Sequence, residues 1–295
     1  MSAVAIPVAV AAVSPIVSQA SARRPDARQL ADIVVSALIA EVTLTPKPGL
    51  VDLRSRGAHS DLDCALMCRS AAVLHGSFFA MAQAGSSIAA HRRLRERIGA
   101  IGREAEALML QETGGINTHR GAIWALGLLA CAAAQEGALA PSSVAARAGA
   151  LARCPDRYAP RQTGNNGELA CREYGVGGAR AQAQADFPHV IDLALPTLAR
   201  SRAAGDGETA AAVNALLAIV AELDDTCILS RGGYGALEYV QRGARQILAA
   251  GGVGSKQGRA MLQRYEAELL RRNLSPGGAA DLLAAAMFLD RVAEN

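Results

Sequence analysis

The chain has 295 residues, a length that supports one large domain or two smaller ones and excludes peptide hormones and small disulfide scaffolds. Hydrophobic residues make up 51 % of it but aromatics only 3 %, so Ala, Leu, Val and Ile must fill the core, which suits close helix packing better than a sandwich or barrel. Its 30 basic and 27 acidic residues leave a formal charge of +3, too balanced for a surface built to hold nucleic acid or anionic lipid.

Residues 1–19 are apolar, and Ala20-Ser21-Ala22 imitates an export cleavage site. A basic n-region is lacking, Pro7 and Pro15 interrupt the run, and Arg23 and Arg24 fall after it, so a loose Ala/Val-rich leader over 1–25 is expected rather than a signal peptide. Leu30, Ile33, Val34, Ala37 and Leu38 then recur at helical spacing behind an Asp26 cap, and Pro46 and Pro48 forbid continuation. A second helix is expected over 61–81. A third carries Leu94, Ile98, Ile101, Ala105 and Leu108 and stops at Gly114-Gly115. From His119 to about Gln135 the pattern is apolar nearly all round, as in a helix buried on most sides. Residues 153–180 read as a long Gly/Pro-containing loop, and such loops are disproportionately functional. Helical patterning resumes near Val190 and recurs over 208–223, 235–250, 256–271 and 277–293, the last opened by Ser275-Pro276. The expected fold is one all-α catalytic domain over 26–295 with polar Gly/Pro-rich loops; a two-lobed variant split near 155 is the alternative. No later run offers ~20 uninterrupted apolar residues, so no membrane span is expected. Six cysteines without a CxxC pair point to a reduced, cytoplasmic protein and give little support to zinc.

The chemistry gathers in the loops. Of the 30 basic residues only Lys47 and Lys256 are lysine. In the segment from Glu41 to Asp52, Pro46 and Pro48 bracket Lys47 and Gly49 follows, which aims one ammonium group and leaves room for a phosphate to approach the glycine; a merely solvated lysine is the alternative. Asp52, His59 and Asp61 could hold Mg²⁺ or act as acid and base, and Asp61 could equally cap a helix. The run Asn117-Thr118-His119-Arg120-Gly121 enters the most apolar helix, so its amides and Arg120 favour an anion, while His119 is either a packed structural histidine or a site residue.

Five segments in order, Pro46-Lys47-Pro48-Gly49-Leu50-Val51-Asp52, Gly57-Ala58-His59-Ser60-Asp61, Asn117-Thr118-His119-Arg120-Gly121, Glu173-Tyr174-Gly175-Val176-Gly177-Gly178-Ala179-Arg180, and Asp224-Asp225-Thr226 with Arg231-Gly232-Gly233, resemble the triphosphoribosyl-dephospho-coenzyme A synthase family. The version tied to malonate decarboxylase looks closer than the one tied to citrate lyase. The resemblance implies a glycosyl transfer in which the ribose 2′-hydroxyl of 3′-dephospho-CoA attacks C1 of the ATP ribose and adenine leaves with the triphosphate retained. The product is then the precursor of the prosthetic group of an acyl-carrier subunit, reached through that subunit's own transferase. It implies nucleotide substrates and Mg²⁺, no nucleic acid and no membrane, and it leaves a homodimer open.

On that footing His59, His119 and Glu41 are the catalytic candidates. Lys47, Pro48, Gly49, Asn117, Thr118, Arg120, Gly121, Arg180 and Arg231 are expected to bind substrate, and Asp52, Asp61 and Asp225 (or Asp224) to hold the metal. Burial, Arg120 and the helix start are expected to lower the His119 pKa and suit it to a base; two nearby aspartates are expected to raise that of His59 and suit it to a proton donor. The chain departs from the family where it reads Ala181-Gln182-Ala183 in place of Gly-Glu-Ala and Asp186-Phe187-Pro188 in place of Gly-Phe-Pro, so the carboxylate lost at Gln182 either was structural or is replaced by a neighbour such as Glu173. Two other functions use the same residue types: a Mg²⁺-dependent all-α hydrolase of N-glycosidic or phosphoester bonds, and a non-catalytic nucleotide-binding protein.

Overall fold

The computed structural model describes residues 24–294, so the 1–19 run and Ala20-Ser21-Ala22 lie outside the described residues. Among those described there are helices and no strand. Asp26 caps α1 (Ala27–Thr43) in a reciprocal capping box with Gln29. The helix expected over 61–81 is two, α2 (Cys64–Val73) and α3 (His75–Ser87), jointed at Leu74, and Asp63 rather than Asp61 caps the first. α4 (His91–Glu112) stops where Gly114 and Gly115 take positive φ, and α5 (Arg120–Ala134) follows.

Sequence periodicity missed α6 (Pro141–Arg153), which is rich in alanine. It also missed the short α7 (Asn166–Tyr174) and α8 (Gly178–Gln184), which lie inside the stretch expected to be a loop. A π-helical turn (His189–Ala194) runs straight into α9 (Leu195–Ala203), and α10 (Glu208–Glu222), α11 (Thr226–Ala249), α12 (Lys256–Arg271) and α13 (Gly277–Glu294) complete the chain.

The middle of the molecule is built on α5 and α13. α5 packs against α1, α3, α4 and α6, while α13 lies across α1, α5 and α10. Because α13 returns to the first helices of the chain, the two halves share one core and the split near 155 does not occur. The stretch Cys64–Ser87 is long and apolar enough to cross a membrane by length and composition, with a mean hydropathy of 1.3 over its most apolar 18 residues, although Arg69 and Gly76 interrupt the apolar run as the sequence reading has it. Here it is broken at Leu74, and its Phe78, Met81 and Ala82 are buried in the core shared with α1 and α5.

Small residues set the spacing of these helices. A Cβ on Gly85 of α3 would come within 2.1 Å of the Cys131 carbonyl oxygen of α5, so only glycine lets the two backbones approach this closely. Gly76, on the same helix, has nothing within 4 Å of the equivalent point. Gly85→Ala is therefore expected to cost roughly 1–3 kcal/mol by overpacking and to lower Tm by several degrees. Gly76→Ala should leave Tm unchanged or slightly raised. Equal Tm values for the two variants in a calorimetric scan would show that the α3–α5 approach is not tight.

Candidate active site

The segment after α1 folds inward. The Lys47 ammonium Nζ lies 2.6 Å from Glu41 Oε1, with side-chain exposures of only 2 % and 5 %. The lysine is thus neither solvated nor presented at a surface. Gly49 has φ +75°, and a Cβ there would lie 2.4 Å from the Leu274 carbonyl oxygen, so the space expected to admit a ligand is filled by the chain itself. Pro48 is buried beside it. Asp52 holds the loop together: Oδ1 accepts from the Arg54 and Ser55 amides at 2.8 and 2.9 Å, and Oδ2 accepts from the Lys47 amide at 3.3 Å and the Arg54 guanidinium at 3.0 Å.

His119 sits at the start of α5, against Ser70 of α2. Its Nδ1 is 3.0 Å from Ser70 Oγ, which is also 2.6 Å from Thr118 Oγ1. The other ring nitrogen, Nε2, is buried without a hydrogen-bond partner. Burial, followed by the charge of Lys47, lowers the His119 pKa to about 4. Arg120 is not the cause, because its Nε donates to Glu106 at 3.0 Å on the outer side. The exposed Asn117 accepts from the Arg120 amide at 3.1 Å and so shapes the turn into the helix. Gly121 leaves room for a carboxylate: a Cβ there would lie 2.0 Å from Asp281 Oδ2.

Two carboxylates of this region satisfy helix starts. Asp225, buried, accepts from the Cys227 amide at 2.8 Å as the cap of α11 and from the Ala279 amide at 3.0 Å in the first turn of α13. Burial raises its pKa, with the backbone donors acting against the rise. Asp281 of α13 accepts from the Ala122 amide in the first turn of α5. Sequence reasoning missed Ser70 and Asp281. Neither carries a local signal; Gly278 at the start of α13 makes room for Asp225 instead, since a Cβ there would come within 3.2 Å of that carboxylate.

A polar cleft of about 480 Å³ is lined by His59, Asp61, Asn166, Glu173, Arg231 and Asn273 among others, and by none of Glu41, Lys47, His119, Asp225 or Asp281. Arg231 donates through Nη1 to the Ala58 carbonyl at 2.7 Å and through Nη2 to His59 Nδ1 at 3.2 Å. Since a guanidinium only donates, Nδ1 is the acceptor and the ring proton sits on Nε2, which donates to Ser275 Oγ at 2.8 Å. Burial first, then Arg231, lowers the His59 pKa to about 4, against the opposing pull of Asp61 at 3.9 Å. The expected rise is reversed because burial, joined by the arginine, outweighs an exposed aspartate. α11 breaks at Gly233 (φ +66°, ψ −164°), just past Arg231, so the Arg231-Gly232-Gly233 run is a helix break at the rim of the cleft.

Cys227 joins the two regions: burial and the charges of Asp225 and Asp281 push its thiol up, while Arg231 pulls it down. The metal candidates do not come together. Asp52 and Asp225 spend their oxygens on the chain's own donors, Asp61 is exposed in the cleft, and among the described residues no group of three His, Cys, Asp or Glu is arranged to hold a metal. Arg180 is exposed on α8, close enough to Arg95 to feel its charge, and does not line the cleft. Gln182 pairs with His189 Nδ1 at 3.0 Å, a packing role that needs no carboxylate. A second cleft of about 480 Å³ between α9, α10 and the far end of α11, lined by Thr197, Arg200, Asn214 and Arg245 among others, contains none of the candidate residues.

The chain as a whole has relatives of known family. Over 268 residues the chain is 55 % identical to a protein of Azotobacter vinelandii named probable 2-(5''-triphosphoribosyl)-3'-dephosphocoenzyme-A synthase, covering 90 % of this chain and 92 % of that one. Over 265 residues it is 53 % identical to the 2-(5''-triphosphoribosyl)-3'-dephosphocoenzyme-A synthase of Klebsiella pneumoniae, covering 90 % and 94 %. No solved structure matches. Residues 27–295 match the CitG family, described as ATP:dephospho-CoA triphosphoribosyl transferase, and the chain belongs to that family of transferases.

Proposed function

We propose that the cleft and the buried cluster around His119 join ATP to 3′-dephospho-CoA, the ribose 2′-hydroxyl of the coenzyme attacking C1 of the ATP ribose as adenine leaves. The observation that carries this reading is the polar cleft in which Arg231, His59 and Asp61 line one space, to which the buried, unpartnered Nε2 of His119 adds a candidate base. A neutral imidazole with a vacant acceptor can take the hydroxyl proton, whereas an imidazolium could not. Lys47 acts on the site from inside: after burial, its charge adds to what keeps His119 neutral, and Glu41 holds it in place. His59, neutral and clamped between Arg231 and Ser275, orients the arginine toward the phosphates, so its role is positioning rather than proton donation.

Mg²⁺ fits this chain only as an ion that enters with the triphosphate, with exposed Asp61 as the carboxylate that would meet it; bound there it would offset phosphate charge. We further propose that the product goes, through a second transferase, to the acyl-carrier subunit of a decarboxylase or lyase, the malonate type being favoured. The six free cysteines support a reducing, cytoplasmic setting.

The decisive assay is reversed-phase detection of adenine released from ATP. Release should require 3′-dephospho-CoA; release without it would identify a hydrolase, and nucleotide binding with no release a non-catalytic carrier. His119→Asn should lower turnover by about 10²- to 10⁴-fold in a folded protein, and wild-type turnover in this variant would return His119 to a packing role. His119 also shapes stability. With a folded pKa of about 4 against an ordinary 6.5, the folded chain binds fewer protons, so its contribution is full above pH 6.5 and is lost as pH falls from 6.5 toward 4. The fall in Tm between pH 7 and 5 should therefore be smaller in His119→Asn than in wild type.

A further inference from the structure

One face of α7 forms a wall of the polar cleft. Asn166, Leu169, Ala170 and Glu173 all line it, and steps of three, four and seven residues from Asn166 put them on a single side of the helix. The helix is held at both ends. Asn165 caps it by accepting from the Glu168 amide at 2.9 Å, and the Glu168 carboxylate takes the Thr163 and Gly164 amides at 2.6 and 3.0 Å. At the other end Gly175 turns the chain with φ +68°, the Tyr234 hydroxyl donates to the Tyr174 carbonyl, and the two tyrosine rings meet edge-on at 5.3 Å. The face is thus anchored to the loop before it and to α11 behind it.

Its chemistry changes along its length. The Asn166 side chain makes no hydrogen bond among the described residues, so its amide brings both donors and an acceptor to the cleft. Leu169 is 40 % exposed and Ala170 beside it is small and buried, which makes the middle an apolar shelf. Glu173 is an exposed carboxylate that takes the Tyr174 hydroxyl and keeps further lone pairs for a ligand. Seven residues of helix separate Asn166 from Glu173 by about 10 Å along the axis, the span of one nucleoside from base edge to ribose. The direction is fixed by α11: a Cβ on Gly167 would lie 3.8 Å from Thr226 Oγ1, and one on Gly233 would lie 3.5 Å from the Tyr174 hydroxyl. The Glu173 end therefore lies toward Arg231, and the Asn166 end lies toward the start of α11.

We infer that this face of α7 is the adenosine subsite of the cleft, an assignment that rests on the transfer reading above. An amide, an apolar shelf, a carboxylate and a guanidinium follow one another in the order of the base edge, ring face, ribose and 5′-phosphate of one nucleotide. The base lies on Leu169. Asn166 accepts from the 6-amino group of adenine and donates to N7, the pairing an asparagine amide makes with that edge. Glu173 accepts from a ribose hydroxyl, as carboxylates do in dinucleotide sites, and the 5′-phosphate falls toward Arg231. A cleft of about 480 Å³ is within the range of small-ligand pockets. ATP and 3′-dephospho-CoA both carry this adenosine 5′-phosphate chemistry, and the test separates them.

Steady-state kinetics of Asn166→Ala and Leu169→Asp, with each nucleotide varied against saturating amounts of the other, provide the test. Both side chains are exposed, so the variants should keep the wild-type Tm. Each should raise the KM of the same nucleotide by about 10-fold or more and leave the KM of the other within about a factor of two. A rise for ATP assigns the subsite to ATP, and a rise for 3′-dephospho-CoA assigns it to the coenzyme. Unchanged KM values for both nucleotides, or equal rises for both, overturn the inference. Wild-type enzyme that releases no adenine with both substrates present would contradict the transfer reading instead. Calorimetric titration of each nucleotide into the same variants then decides the subsite by itself: weakened binding of one nucleotide upholds it, and undiminished binding of both overturns it.

Discussion

Glu41 and Lys47 meet at 2.6 Å with almost no water in reach of either. Two charges in such a place cost desolvation energy that only good geometry offsets, so the pair constrains everything around it. Glu41 belongs to the last turn of α1, and Lys47 to the Pro-rich loop that follows, so the pair fixes the direction in which the chain leaves the helix. From that direction follow the burial of Pro48, the close approach of Gly49 to Leu274 and the Asp52-centred turn that leads to His59. The same ammonium charge reaches His119 and helps to keep it neutral.

Around the pair, three helices begin. The starts of α11 and α13 share Asp225, and the first turn of α5 meets Asp281. Each helix start leaves amide donors without partners inside its own helix, and burying them demands acceptors. Carboxylates supply these here, and in doing so the fold collects acidic groups, a neutral imidazole and the thiol of Cys227 at one place. The arrangement that completes the helices is thus the arrangement available for chemistry. The glycines follow from it: Gly121 and Gly278 leave room for the two carboxylates.

What could be read in the sequence was local. The Asp26 cap, the stop at Gly114-Gly115 and the all-round burial of α5 depend on residues within a turn or two, and they are where periodicity places them. α6, α7 and α8 were not legible, because α6 offers only Val144 and Leu151 as large apolar residues and α7 and α8, nine and seven residues long, end before a helical period can repeat three times. In the site, residue types were easier to choose than their electrostatics. His59 reads as a histidine among aspartates, yet its dominant charged neighbour is Arg231, far away in the chain. Lys47 reads as a surface cation aimed by prolines. Nothing in the loop's composition says that its ammonium turns back to a glutamate on the preceding helix. Ser70 and Asp281 carry no local signature and become visible only when α2, α5 and α13 are packed.

The central claim, that one ion pair built into the core organises the site, is tested most directly by denaturant unfolding of Lys47→Met, Glu41→Gln and the double variant. Each single change should cost about 3–5 kcal/mol, because it leaves a buried polar or charged partner without compensation, and the double variant should be more stable than Lys47→Met alone. A Lys47→Met protein as stable as wild type would mean that the ammonium is solvated, and the inward-folded loop on which the rest of the site depends would be wrong.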